Sequence, residues 1–277
     1  MDDGGLLRGL WYNLQVSLPM VFDRRFSYSH VYENLYIFAS YGRLYRLLRL
    51  REGDVPMVGS ATVEIFEEPL TGSENRVLYC FAKRLFDIVF SIFAIVFFSW
   101  LYVLIAVIIK VDDPRGPVFF KQQRVGKDGK LFTMYKFRSM YLGAEEQLEE
   151  LRHLNEKTGP VFKIADDPRV TRAGKWLRKL SLDELPQFFN TLKGDISIVG
   201  PRPALPAEVE EYTEYQRQRL LVPQGITCYW QTRMNRDAIS FDEWIWLDLL
   251  YVKQCGIWAD FKLIVQTVGV VLMAQGR

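Results

Sequence analysis

Cysteine and histidine are scarce in this chain of 277 residues. The three cysteines, Cys80, Cys228 and Cys255, form no CxxC pair, which excludes a disulfide framework and a four-cysteine zinc site. The two histidines, His30 and His153, stand far apart and exclude a histidine-rich metal centre or relay. Net charge is almost lacking as well. Thirty-five Lys and Arg against 33 Asp and Glu leave +2, too balanced for a protein whose whole surface grips nucleic acid. Chemistry must therefore rest on carboxylates, lysines and arginines. What is abundant is apolar: hydrophobic residues reach 49%, with 19 Phe, 14 Tyr and 7 Trp, so a core forms and wholesale disorder is excluded.

The apolar residues are unevenly spread. Leu85 to Ile109 reads LFDIVFSIFAIVFFSWLYVLIAVII, with Asp87 its one formal charge. About 20 such residues suffice for a helix to cross a bilayer. A globular helix this apolar on every side is rare, so membrane insertion is the reading. Its depth in the chain and the lack of a small-residue cleavage site argue against a signal peptide. Lys83 and Arg84 precede the segment, while Lys110, Arg115, Lys121 and Arg124 follow it. Cytoplasmic flanks attract Lys and Arg, and here both flanks carry them, which points to a segment that enters and returns on one side. The break such a hairpin needs is expected at Ser99–Trp100, where a hydroxyl can bond back to a carbonyl.

Ahead of that segment, residues 1–80 carry mixed charge and no assignable motif. Apolar spacing suggests a helix over 29–50, ending in Arg43, Arg46, Arg49 and Arg51, either a solvated face or a patch for anionic lipid. Residues 58–69 alternate like a strand. Beyond it, VFFKQQRV and KLFTMYKFRSM flank a KDGK turn and predict a hairpin, with Phe132, Met134, Lys136 and Arg138 on one face. Residues 143–157 read as an exposed acidic helix.

The densest chemistry lies in residues 169–203, RVTRAGKWLRKLSLDELPQFFNTLKGDISIVGPRP. Arg172, Lys175, Arg178 and Lys179 share one helical face, either a solvated surface or a cradle for a diphosphate. Ser181 and Glu184 form a capping-box pattern that predicts a new helix with Asp183 in its first turn. The pair either merely caps, or supplies a carboxylate kept ionised among cations, usable as a nucleophile toward phosphorus or as a magnesium ligand. Pro186 places the dyad at a bend. GPRP, residues 200–203, is a turn signal. Arg233 and Arg236 fall on a polar loop, and Ser240 to Glu243 is another capping pattern. Asp248 is either an orienter of a cation or an exposed helical carboxylate. The closing run, residues 257–274, is either a core helix or one lying at the membrane interface.

KRLFDIVFS, GPVFFKQQRVGKDGKLFTMYKFRSM, LRKLSLDELPQFFNTLKGDISIVGPRP and GITCYWQ…ISFDEW…LDLLYV together resemble the bacterial sugar transferases. These are monotopic phosphoglycosyl transferases, and the likeness runs in order from about Lys83 to about Val270. It implies an α+β, membrane-anchored fold: a re-entrant membrane helix (residues 81–110), then a mostly helical cytoplasmic catalytic domain (111–277) with a small β-hairpin. The family usually breaks its membrane helix with Ser-Pro; this chain has Ser99–Trp100. The implied reaction moves a sugar 1-phosphate from a UDP-sugar to undecaprenyl phosphate, releasing UMP, with Mg2+ required. It opens exopolysaccharide, capsule or glycoconjugate assembly at the bacterial inner membrane, facing the cytoplasm.

By the same resemblance Asp183 is the nucleophile that forms an aspartyl-phosphosugar, and Glu184 completes the dyad and helps hold the metal. Lys136, Arg178, Arg202 and Arg236 fall on substrate-phosphate positions, with Asp248 in support. The expected partners are the donor, the acceptor and the lipid bilayer, with no nucleic acid and with homo-oligomerisation left open. The alternative is a membrane scaffold without catalysis, which has no need of an intact Asp183, Glu184, Lys136 and Arg178. The sugar is not named by the sequence.

Overall fold

The apolar run folds as two helices, not one. In the computed structural model, which describes residues 76–157, 159–164, 166–233 and 239–272, α1 covers Val77–Phe97 and α2 covers Ser99–Asp112. They meet at Phe98 with a bend of 60°. No single helix among the described residues is long and apolar enough to cross a membrane, but the two helices of this bent pair together have that length and apolar character. The break falls one residue before the expected Ser99–Trp100. Phe98 closes α1 through its N–H to the Ala94 carbonyl, and its own carbonyl receives Leu101 and Tyr102. The predicted helix at 29–50, the strand at 58–69 and Arg236 lie outside the described residues.

After α2 the chain forms the expected hairpin, β1 Phe119–Val125 and β2 Leu131–Phe137, antiparallel with Phe119 opposite Phe137 and Arg124 opposite Phe132. The KDGK turn holds Asp128 at φ 56 and Gly129 at φ 78. The acidic helix expected over 143–157 shrinks to one turn, α3 Leu148–Leu151, followed by a 3-10 turn. No residue of either turn is buried, so no apolar stripe sustains a longer helix.

Thr171 caps α4, Arg172–Lys179, its hydroxyl accepting from the Gly174 N–H. Gly174 is required where it stands: a Cβ there would lie 2.0 Å from the Ser139 carbonyl oxygen. A 3-10 turn, Leu182–Glu184, leads into α5, Gln187–Lys193. A second, unforeseen pair follows: β3 Ser197–Val199 runs parallel to β4 Gly225–Thr227. Between them lie α6 Pro206–Glu210 and α7 Glu214–Arg217, and the chain continues through α8 Phe241–Gln254 and α9 Ile257–Leu272. The fold is α+β and mostly helical, as expected.

One buried cluster joins α1, β3, α8 and α9 through Tyr79, Val199, Tyr251 and Leu263. Another joins α2 to the hairpin and α4 through Ile105, Ile109, Phe137 and Leu177. The two readings of the closing run both find support within α9: Leu263 is buried in the core while Ile257, Trp258 and Phe261 are exposed.

Candidate active site

The dyad stands on the 3-10 turn, and its support is apolar. Leu182 and Leu185, on either side of Asp183 and Glu184, pack against the α2 cluster. The Tyr102 hydroxyl of α2 donates to the Leu185 carbonyl at 2.7 Å. The capping box is not formed. Ser181 lies in the left-handed region (φ 55, ψ 21), its N–H closing the end of α4 on the Arg178 carbonyl, and its side chain caps nothing. Pro186, which has no N–H to satisfy, opens α5 instead. Asp183 thus sits before the helix, not in its first turn. A non-glycine residue held at positive φ beside two carboxylates is local strain of the kind that collects at functional sites.

Three of the sequence-predicted cations converge here. Lys136 Nζ, from β2, donates to Glu184 Oε1 at 2.7 Å. Arg202 Nη1, delivered by the GPRP turn at the end of β3, is 3.6 Å from the same oxygen. Arg178 is held by a hydrogen bond from its Nε to Ser139 Oγ at 3.0 Å. Of the basic stripe on α4, Arg178 alone turns inward; Arg172, Lys175 and Lys179 are exposed. The solvated-face reading therefore holds for those three. Asp183 is 7% exposed. Burial raises its carboxyl above the ordinary range and Glu184 adds to this, while Lys136, Arg178 and Arg202 oppose it. Arg236 lies outside the described residues.

Asp248 is not an exposed helical carboxylate. It is 0% exposed on α8 and forms an ion pair with Arg219, itself buried. Arg219 also donates to the Tyr212 hydroxyl at 2.6 Å and the Arg202 carbonyl at 2.9 Å. Asp248 therefore reaches the site through the backbone that carries Arg202. Spacing alone could not show this, because the partner comes from a separate 3-10 turn, Gln218–Leu221.

Asp183, Glu184, Lys136, Arg178 and Arg202 border one cleft of about 2380 Å³, lined also by Arg124, Ser139, Trp230 and Trp244. Arg202 lies over the Trp230 ring, 5.9 Å from its centre. Arg124 was missed as a site residue, although strand parity contains the signal. Cross-strand partners share a face, and Phe120 opposite Lys136 places Phe120, Gln122 and Arg124 on the Lys136 side.

Among the described residues no three His, Cys, Asp or Glu side chains converge as a metal cage. Asp183 and Glu184 nevertheless fit magnesium, which is bound through one or two carboxylates and completes its shell with water and substrate phosphates.

Comparison with known proteins gives the family. The family described as bacterial sugar transferase matches residues 78–274. The chain is 42% identical to the galactosyl transferase CpsE of Streptococcus agalactiae over 79% of its own length and 49% of that protein's. It is 42% identical to the undecaprenyl-phosphate galactose phosphotransferase of Salmonella typhimurium, over 71% of this chain and 41% of that one. It is also 39% identical, over 72% and 45%, to the UDP-N-acetylgalactosamine-undecaprenyl-phosphate N-acetylgalactosaminephosphotransferase of Aeromonas hydrophila. The chain thus spans about half the length of these relatives or somewhat less. With the family match covering well over half its residues, the chain belongs to the bacterial sugar transferases.

Proposed function

We propose that this protein transfers a sugar 1-phosphate from a UDP-sugar to undecaprenyl phosphate, with Asp183 carrying the sugar phosphate between the two. The observation that carries this reading is a buried carboxylate, Asp183, under the combined charge of Lys136, Arg178 and Arg202. The names of the Salmonella and Aeromonas relatives support the acceptor, and the latter the donor.

In this reading an Asp183 carboxylate oxygen attacks the phosphorus bonded to the sugar. The bond from that phosphorus to the bridging oxygen of UMP breaks, and UMP leaves with the electron pair. A phosphate oxygen of undecaprenyl phosphate then attacks the same phosphorus and releases the carboxylate. Splitting the reaction lets a water-soluble donor depart before a lipid acceptor engages. The cations favour the ionised Asp183 against the penalty of burial, and they face the charge that develops on the phosphoryl oxygens. Lys136 and Arg202 hold Glu184 in place beside it. Magnesium, held by Asp183 and Glu184, would neutralise diphosphate charge when bound. The α1–α2 pair would sit in the cytoplasmic leaflet of the inner membrane and bring the dyad to the acceptor.

The test uses detergent-solubilised full-length protein, magnesium and UDP-sugars labelled in the sugar. Without acceptor, wild-type protein should retain label and release one UMP per label. Asp183→Asn, which keeps the shape but removes the nucleophile, should show neither label nor turnover. Label on Asp183→Asn would overturn the assignment. No UMP from wild type with any of a panel of UDP-sugars would return the chain to the scaffold reading.

A further inference from the structure

Among the described residues, Arg124 forms no ion pair with a carboxylate. Its Nε and Nη2 donate to Gln122 Oε1, at 3.1 and 2.6 Å, and its Nη1 donates to the Pro203 carbonyl at 3.1 Å. Both acceptors are neutral. They hold the guanidinium rigidly on the cleft wall, half-buried, where the strongest charge it meets is another guanidinium, Arg202. Burial and Arg202 together push its pKa down to about 10, with Glu208 and Glu184 giving only partial compensation. Two like charges on the wall of one cleft are unfavourable unless something negative joins them.

We infer that Arg124 and Arg202 form a second anion site in the cleft, which binds the phosphate that leaves with the nucleotide. This rests on the proposed reaction. In the donor two phosphorus centres stand side by side: the one that Asp183 attacks, and the one that departs in UMP. Lys136 and Arg178 serve the first position, and Arg202, 3.6 Å from Glu184 and next in the chain to Pro203, whose carbonyl Arg124 holds, spans to the second.

The polyprenyl phosphate offers the same chemistry, but position favours the nucleotide. The Phe119–Phe137 end of the hairpin packs on α2, through the contact of Tyr102 with Phe137. Arg124 lies five residues further along β1, about 17 Å away at the usual rise of a strand. A water-soluble phosphate reaches that end without approaching the membrane helices. A lipid phosphate must leave the bilayer to do so.

The experiment measures binding of UMP, uridine and a soluble short-chain prenyl phosphate to full-length protein in detergent, for wild type, Arg124→Gln and Arg124→Lys. Wild type should bind UMP more tightly than uridine. Arg124→Gln should lose at least tenfold in UMP affinity, with uridine and prenyl phosphate unchanged within twofold. Arg124→Lys should fall between, because an ammonium cannot reproduce a planar fork. If Arg124→Gln does not fold, Arg124→Lys decides, with a threefold or larger loss expected. UMP affinity unchanged in a folded variant would overturn the proposal, as would a loss confined to prenyl phosphate. Failure of the reaction reading itself has a different signature: wild type that releases no UMP from any UDP-sugar.

Discussion

Two buried charged side chains, Asp248 and Arg219, fix the backbone beneath Arg202. Burial pushes the Asp248 carboxyl up to about 6, with Arg219 pulling the other way. In the unfolded chain the same group titrates near about 3.9. The native state therefore holds this proton more tightly than the unfolded state does. By linkage, the stability Asp248 contributes is complete below about pH 4 and is lost as pH rises through about 6. Thermal melting of wild type beside Asp248→Asn checks the sign. The wild-type Tm should fall relative to that of the variant across this window, and a gap independent of pH would refute it. Residue identity was legible here where residue role was not. Asp183, Glu184, Lys136, Arg178 and Arg202, which the resemblance assigned to one site, do stand together. Asp248 and Arg124 take their meaning from Arg219 and Arg202, which only the folded chain brings alongside.

Among the elements, the hairpin was the most legible, because period two and a KDGK turn determine both its register and its faces. The dyad turn was the least. Ser181 has the right residue type and spacing for a cap, but the end of α4 claims its backbone first. The β3–β4 pair was invisible because each strand is three residues long and they pair across a crossover. What brings α4 close to the segment after β2 is Gly174, seated against the Ser139 carbonyl. In an ordinary exposed helix, glycine to alanine stabilises by about 0.5–1 kcal/mol. Here the added methyl has no room, and Gly174→Ala should instead destabilise by about 1–3 kcal/mol, the usual range for overpacking. Because α4 also carries Arg178, whose Nε bonds Ser139 Oγ, turnover should fall with stability. A raised Tm, or unaltered turnover in the folded variant, would show that the contact does not set the position of α4.

At the scale of the whole molecule, the proposed seat of the bent helix pair in one leaflet has to agree with how its ends are held. Both of its ends are tied to the same folded body. Near the start of α1, Lys83 Nζ donates to the Val199 carbonyl at 2.9 Å, and Arg84 donates to the Thr191 and Leu192 carbonyls. Asp87 accepts from Ser197 Oγ and the Ile198 N–H. At the end of α2, Asp112 accepts from the Ala173 N–H, and Lys110 donates to the Pro114 and Gly116 carbonyls. A full span would put these two sets of contacts on opposite sides of about 30 Å of hydrocarbon, and one set would have to break. Beyond Asp87, α1 runs ten more residues to Phe97, about 15 Å at the helical rise, which is about one leaflet. Large apolar side chains from Val89 to Val111 are exposed along both helices, as a wedge facing lipid requires. From the sequence, the basic flanks led to the expectation of a return to one side. That Lys83, Arg84 and Lys110 donate to backbone carbonyls, and are not merely left in water, was not legible there. Single cysteines at Ala82 and Arg115, in a chain with Cys80, Cys228 and Cys255 replaced by serine, test the topology. In sealed spheroplasts an impermeant thiol reagent should label neither position, and after permeabilisation it should label both. Labelling of one position alone before permeabilisation would mean that the pair crosses the membrane.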